Sequence, residues 1–184
     1  MDQPKPLRVI RWVAICLILL ATAGCDQTTK HFARSQLSQF GSAALPGGFV
    51  EFTLAENPGA FLSLGASLPE TTRGALLTFG VAIGLACLLA YVLGAARLRR
   101  LSFFALALIW AGGMSNLIDR FARHGLVTDF ILLRAGPFHT GIFNVADLAI
   151  VFGMGMLLVS IGLQRREGAS QDEAADSKNP SKIT

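Results

Sequence analysis

The chain's 184 residues are 52% hydrophobic and only 15% charged, with a mean hydropathy of +0.52, which excludes an ordinary soluble domain of this size. Its net charge of +4 lies in short basic clusters beside apolar runs rather than along an aromatic-bearing polar face, so no nucleic-acid partner is expected. Three widely spaced cysteines and the isolated His31, His124 and His139 exclude a disulfide framework and zinc-type spacing, so no metal is expected.

Lys5, Arg8 and Arg11 lead into an apolar run, and a first transmembrane helix is expected over residues 9–28. Ala23-Gly24-Cys25 looks like the end of a lipobox, so the alternative is a lipoprotein whose mature chain starts at Cys25. Thr22, where a branched aliphatic would stand, and the longer apolar spans downstream favour an uncleaved helix.

Residues 26–73 are mixed in composition. Pro46, Gly47 and Gly48 form a turn before the alternating Phe49-Val50-Glu51-Phe52-Thr53-Leu54, which reads as a short strand. Asn57-Pro58-Gly59 is a second turn, after which Phe61-Leu62-Ser63-Leu64 is expected to return as the partner strand. This segment makes a small β-platform outside the membrane.

A second helix is expected over 75–96, with Gly80 and Gly84 at the spacing that lets another backbone come close. Arg97, Arg99 and Arg100 form a basic loop before a third helix over 101–118, and a fourth over 141–163 ends at Arg165 and Arg166. The polar tail, 167–184, is expected to be disordered, which leaves 1–166 as a single membrane domain. The expected fold is an all-α membrane protein, a four-transmembrane-helix bundle with a small platform. The basic clusters place both termini in the cytoplasm and residues 26–73 and 119–140 on the outer side.

Counting along the helices gives the depth of the polar groups. Asp26 lies ~14 residues, or ~21 Å, beyond Trp12, and Asn116 lies ~15 residues, or ~22 Å, beyond Leu101. Asp147 stands ~18 residues, or ~27 Å, before Arg165, so all three fall near the outer edge of the hydrocarbon. Asp26 and Lys30 share a face at i,i+4; Asn116, Asp119 and Arg120 share another; Asn144 and Asp147 share a third. If the helices bundle, these patches converge on one pocket that opens outward.

Ionisable groups in such an apolar setting are functional candidates by default. Asp119, beside Arg120 and with Arg123 at i+4, reads as an ion-paired structural carboxylate. Asp129 follows the His124-Gly125 turn inside Leu126-Val127-Thr128-Asp129-Phe130-Ile131-Leu132, where desolvation raises a carboxyl pKa. With Asp147 at similar depth, the two carboxylates can share one proton, as an aspartic-protease dyad requires. Taken singly, each polar residue is more often a cap or an interhelical hydrogen bond: Asp26 can cap, and Asn57 can hold an Asx-turn before Pro58. The set at one depth carries the functional reading.

At these residues the sequence resembles the lipoprotein signal peptidase family, bacterial signal peptidase II. The matching blocks are Asp26-Gln27-Thr28-Thr29-Lys30, Glu56-Asn57-Pro58-Gly59-Ala60, Gly113-Met114-Ser115-Asn116-Leu117-Ile118-Asp119-Arg120, Val127-Thr128-Asp129-Phe130 and Phe143-Asn144-Val145-Ala146-Asp147. The resemblance implies a four-helix inner-membrane aspartic endopeptidase with a periplasmic β-platform and no cofactor. Its substrate would be a diacylglyceryl-modified prolipoprotein held in the phospholipid bilayer, cut on the amino side of the lipidated cysteine. By matching position, Asp129 and Asp147 would be catalytic, Asn57, Asn116, Arg120 and Asn144 would orient substrate and dyad, and Asp26 and Lys30 would organise the end of the first helix. A proton-conducting or transporting bundle is the competing class. It needs polar groups through the full membrane depth, whereas the inner halves of these helices hold almost none.

Overall fold

The computed structural model describes residues 5–60, 64–95 and 98–177. It is mostly helical, with a small antiparallel sheet at one end. Four helical spans are long and apolar enough to cross a membrane: Arg8–Phe40, Glu70–Gly94, Arg100–Ala122 and Val145–Ser170. Their outward faces expose Leu17, Leu20, Phe79, Ile83, Phe152 and Leu158, which a water-soluble bundle would bury and a bilayer accepts.

The first helix, α1 (Lys5–Phe40), runs past the expected end at residue 28. At 33 residues its apolar span measures about 50 Å at 1.5 Å per residue, so roughly 20 Å projects beyond a ~30 Å hydrocarbon core. The extra turns are supported by the sheet, since Ala33 is buried and the Arg34 Nη1 donates to Thr128 Oγ1 at 2.9 Å. The half before Cys25 is built into the bundle. Ile15 lies in the core with Val92, Phe103 and Trp110, and Arg11 Nη1 donates to the Ala95 carbonyl at 2.6 Å.

The second span is continuous through α2 (Glu70–Gly74), a π-helical segment (Ala75–Gly80) and α3 (Val81–Gly94). It begins five residues before the expected start. The third, α4 (Arg100–Ala122), is the central helix, buried on most sides from Ser102 to Arg120. Trp110 in α4 donates its indole N–H to the Leu85 carbonyl at 3.0 Å, and Ser102 pairs with Ser160 at 2.8 Å. The fourth, α5 (Val145–Ser177), starts after Asn144 and continues through residues expected to be disordered. Residues 167–177 are helical; 178–184 lie outside the described residues.

The four-stranded sheet has the order β1 (Ala43–Ala44), β2 (Val50–Asn57), β3 (Val127–Ala135) and β4 (Phe138–His139), all neighbours antiparallel. Among the described residues β2 is therefore paired by β1 and β3. Leu64 lies in a turn, and Phe61, Leu62 and Ser63 fall outside the described residues. The register slips between Phe52 and Ala55, so Phe52 faces Ile131 while Ala55 faces Asp129. That bulge re-aims the last residues of β2 towards the helix ends.

The expected close approach at Gly80 and Gly84 is not what packs the helices. A Cβ at Gly84 would meet nothing within 4 Å, and one at Gly80 would meet only the Ala75 carbonyl at 3.7 Å. The tight seam lies between α4 and α5, where a Cβ at Gly112 would sit 2.5 Å from the Ala146 carbonyl oxygen and one at Gly153 2.7 Å from that of Ala105. Gly112→Ala is expected to destabilise the protein by about 1–3 kcal/mol through backbone displacement. Gly84→Ala should be neutral or stabilising by up to about 1 kcal/mol, and thermal unfolding in detergent separates the two.

Candidate active site

Asn144 organises the site because it is the N-cap of α5 and the bridge between both candidate carboxylates. Its side-chain Oδ1 accepts the Asp147 N–H at 2.9 Å, while Asp147 Oδ2 accepts the Asn144 N–H at 3.2 Å. This reciprocal pair is a capping box, and it holds Asp147 at the positive end of the helix dipole. The Asn144 side-chain amide then donates to Asp129 Oδ1 at 2.6 Å and to Asn116 Oδ1 at 3.1 Å. One residue thereby fixes both carboxylates.

Each carboxylate has a second asparagine. Asn57 Nδ2 donates to Asp129 Oδ2 at 2.8 Å, across the diagonal of the β2–β3 ladder, and Asn116 Nδ2 donates to Asp147 Oδ1 at 2.8 Å. Asn57 also makes the expected Asx-turn, its Oδ1 accepting the Gly59 N–H at 2.8 Å. Asp129 is 1% exposed and Asp147 5%, so neither is a solvated loop charge. Burial pushes the Asp129 carboxyl up to about 6 from its usual 3.8, and the nearby Asp147 charge adds to the rise. The Asn57 and Asn144 amides and the Lys30 charge hold that rise back by stabilising the carboxylate.

Asn57 is the largest of these restraining influences. Removing a donor to the charged form raises the pKa further, so in Asn57→Ala the Asp129 ionisation, followed by titrating its carboxylate infrared band, is expected to move to higher pH. An unmoved or lowered inflection would contradict this geometry.

Behind the two carboxylates lies a buried ionic cluster. Lys30 Nζ reaches Asp26 Oδ2 at 2.7 Å, Asp119 Oδ2 at 3.0 Å and Asn116 Oδ1 at 3.0 Å. Asp26 does cap a helix, but it is α5 rather than its own, since Asp26 Oδ1 accepts the Ala146 N–H at 2.9 Å. Asp119 is ion-paired as expected, with a different partner. Arg120 turns away to the Gly59 carbonyl at 2.8 Å and Arg123 to Glu56 at 2.6 Å, leaving Lys30 to pair Asp119.

All nine candidates, Asp26, Asn57, Lys30, Asn116, Asp119, Arg120, Asp129, Asn144 and Asp147, are buried at this one end of the bundle. Three further contributors escaped sequence reasoning. Gln27 Nε2 donates to Asp119 Oδ1 at 3.0 Å, Ser115 Oγ to Asp26 Oδ2 at 2.7 Å, and the Thr128 N–H to Asp119 Oδ2 at 3.1 Å. Each adjoins a candidate in the chain, but hydroxyl and amide groups announce nothing until a buried partner is known. Among the described residues no group of His, Cys, Asp and Glu is arranged to hold a metal ion, and Cys16, Cys25 and Cys87 are free.

The arrangement offers two buried carboxylates in one hydrogen-bonded unit, each oriented by amides and one with a pKa near neutrality. That is the equipment for proton transfer to and from a water and a carbonyl.

Comparison with known proteins points the same way. The family model for signal peptidase (SPase) II matches residues 18–163. A lipoprotein signal peptidase of Desulforapulum autotrophicum is 38% identical over 143 residues, covering 77% of this chain and 87% of that protein. One from Syntrophus aciditrophicus is 34% identical over 155 residues, covering 82% and 96%. One from Paraburkholderia phymatum is 35% identical over 169 residues, covering 92% and 97%. A solved bacterial membrane enzyme superposes with a TM-score of 0.66 at 23% identity, covering 87% of this chain and 95% of the other, which supports the fold.

Proposed function

The chain belongs to the signal peptidase II family, and from that premise we propose that Asp129 and Asp147 are its catalytic pair. It is a multi-pass membrane aspartic peptidase that removes signal peptides from prolipoproteins during lipoprotein maturation. The observation that carries the dyad is the Asn144 bridge, which gives one side-chain hydrogen bond to Asp129 and one backbone hydrogen bond to Asp147.

In this reading one carboxylate takes a proton from a water placed between the pair, and the other donates a proton to the scissile carbonyl oxygen. The resulting tetrahedral species collapses as the amine leaves with a proton returned by the dyad. Asn116, Asn144 and Asn57 hold the carboxylate planes, Arg120 with the Gly59 carbonyl positions the peptide, and Asp26, Lys30 and Asp119 brace the helix ends. The substrate is a diacylglyceryl-modified prolipoprotein, cut before its lipidated cysteine, with the lipid remaining in the bilayer.

The domain is single, its fourth helix running on past residue 166 to Ser177, in the bacterial inner membrane with both termini cytoplasmic and the dyad at the periplasmic edge. The basic residues at Arg8, Arg11, Arg99, Arg100, Arg165 and Arg166 support that orientation, since they stand at the end opposite the dyad. A synthetic diacylglyceryl-cysteine lipobox peptide tests the function directly. Mass spectrometry should find the new amino terminus at the lipidated cysteine, and any other cut site would overturn the substrate assignment.

A further inference from the structure

Arg120 also borders a cleft of about 250 Å³, walled by Glu70, Arg73, Thr78, Phe79, Phe121 and His124. Resting on the peptidase reading, we infer that this cleft receives the glyceryl diester of the substrate's lipidated cysteine, holding its ester carbonyls on Arg73, Arg120 and His124. The cysteine sulfur is only a few bonds from the scissile carbonyl, so the diester must lie beside the dyad. Arg120 is one helical turn beyond Asn116, which bonds Asp147, and its Nη2 bonds Gly59, two residues from the Asn57 that bonds Asp129. The cleft therefore adjoins both arms of the site.

Its chemistry suits a neutral diester. Ester oxygens accept hydrogen bonds and donate none, so they need donors once removed from water. Arg120 is buried, and its Nε, enclosed and without a hydrogen-bond partner among the described residues, becomes a donor to the cleft when the side chain shifts towards a bound acceptor. Arg73 Nη1 spends its contacts on the Ala66 carbonyl at 3.2 Å and that of Leu68 at 3.5 Å, the second at the limit of a bond. Glu70 at the same wall disfavours a phosphate and leaves a neutral headgroup acceptable. Phe79 and Phe121 are exposed at the rim, where acyl chains would pass into the bilayer.

Thr78 and Phe79 of this wall belong to the π-helical segment Ala75–Gly80, a distortion that recurs at functional sites. The other cleft near the dyad is larger, about 450 Å³, but its walls are Phe32, Leu37, Phe40, Phe52 and Phe130 with only Thr29 and Gln36 as donors. It lacks a cation for the carbonyls.

The test measures binding in the Asp129→Asn background. A fluorescent peptide with a diacylglyceryl cysteine is compared with its dialkyl-ether analogue, which keeps both chains and loses both carbonyls. The diester is expected to bind about tenfold more tightly, because a site built to hydrogen-bond a group rejects the analogue lacking it. Arg73→Gln and, separately, His124→Gln should each shrink that preference towards unity without weakening diether binding. A preference retained in both variants, equal weakening of both ligands, or a preference removed by Phe130→Ala alone would overturn the proposal. Peptide mass recorded in the same samples reads the dyad independently, since cleavage by the Asp129→Asn protein would refute the catalytic assignment whatever the binding shows.

Discussion

Asparagine at Asp129 or at Asp147 is expected to cut prolipoprotein cleavage by on the order of 10⁴-fold, with the protein still accumulating in the membrane. The substitution keeps volume and planarity, so packing at these buried positions survives. It removes the proton-transfer capacity, and the remaining carboxylate cannot serve as base and acid in turn. A smaller cost arises from hydrogen bonding. Both oxygens of Asp129 accept from amide donors, Asn57 on one side and Asn144 on the other, so an asparagine must present its own NH₂ to one of them. One bond becomes a donor–donor contact, and about 1–3 kcal/mol of stability is expected to be lost. The measurement pairs initial rates on the lipidated peptide with thermal unfolding. Activity within tenfold of wild type in either variant would remove that residue from the dyad.

Much of this site was legible because its residues are polar in an apolar chain. Depth counting placed Asp26, Asn116 and Asp147 at one level, and the i,i+3 spacing of Asn144 and Asp147 corresponds to the capping box that α5 uses. What escaped were relations between distant segments. Val127–Ala135 reads as an apolar return, yet it is a strand because β2 supplies its ladder on one edge and Phe143 bridges Ile131 on the other. Local spacing paired Asp119 with Arg120 and Arg123, but α4 rotates those guanidiniums towards Gly59 and Glu56 and leaves Asp119 to a lysine 89 positions earlier in the chain. The glycine pattern misled for a similar reason, since GxxxG spacing records only that a face is small. Which face meets a neighbour depends on the whole bundle, and here it is the Gly112 and Gly153 seam.

Lys30→Met should produce the second large effect, on stability and turnover together. The ammonium has three donors and three acceptors, Asp26, Asp119 and Asn116, with the lysine side chain wholly buried. Methionine fills the space but leaves two buried carboxylates without their cation, which costs about 3–5 kcal/mol. Asp26 retains Ser115 and the Ala146 N–H, and Asp119 retains Gln27 and the Thr128 N–H, so a folded protein at low temperature is expected. The catalytic consequence runs through Asn116. With Lys30 and Asn144 both donating to its Oδ1, the amide NH₂ has only Asp147 to face; without Lys30 one of the two contacts that set this orientation is gone. Adding Asp119→Asn removes one surplus charge at the cost of one donor–donor contact, since Gln27 and the Thr128 N–H face different oxygens of Asp119; relief of the buried charge is the larger effect, so part of the stability should recover within this one network. If Lys30 only stabilised the fold, that double variant would regain turnover in step with its melting temperature. Since Lys30 also positions the Asn116 amide, kcat is expected to stay low while stability recovers, and recovery of both together would reduce Lys30 to a structural ion.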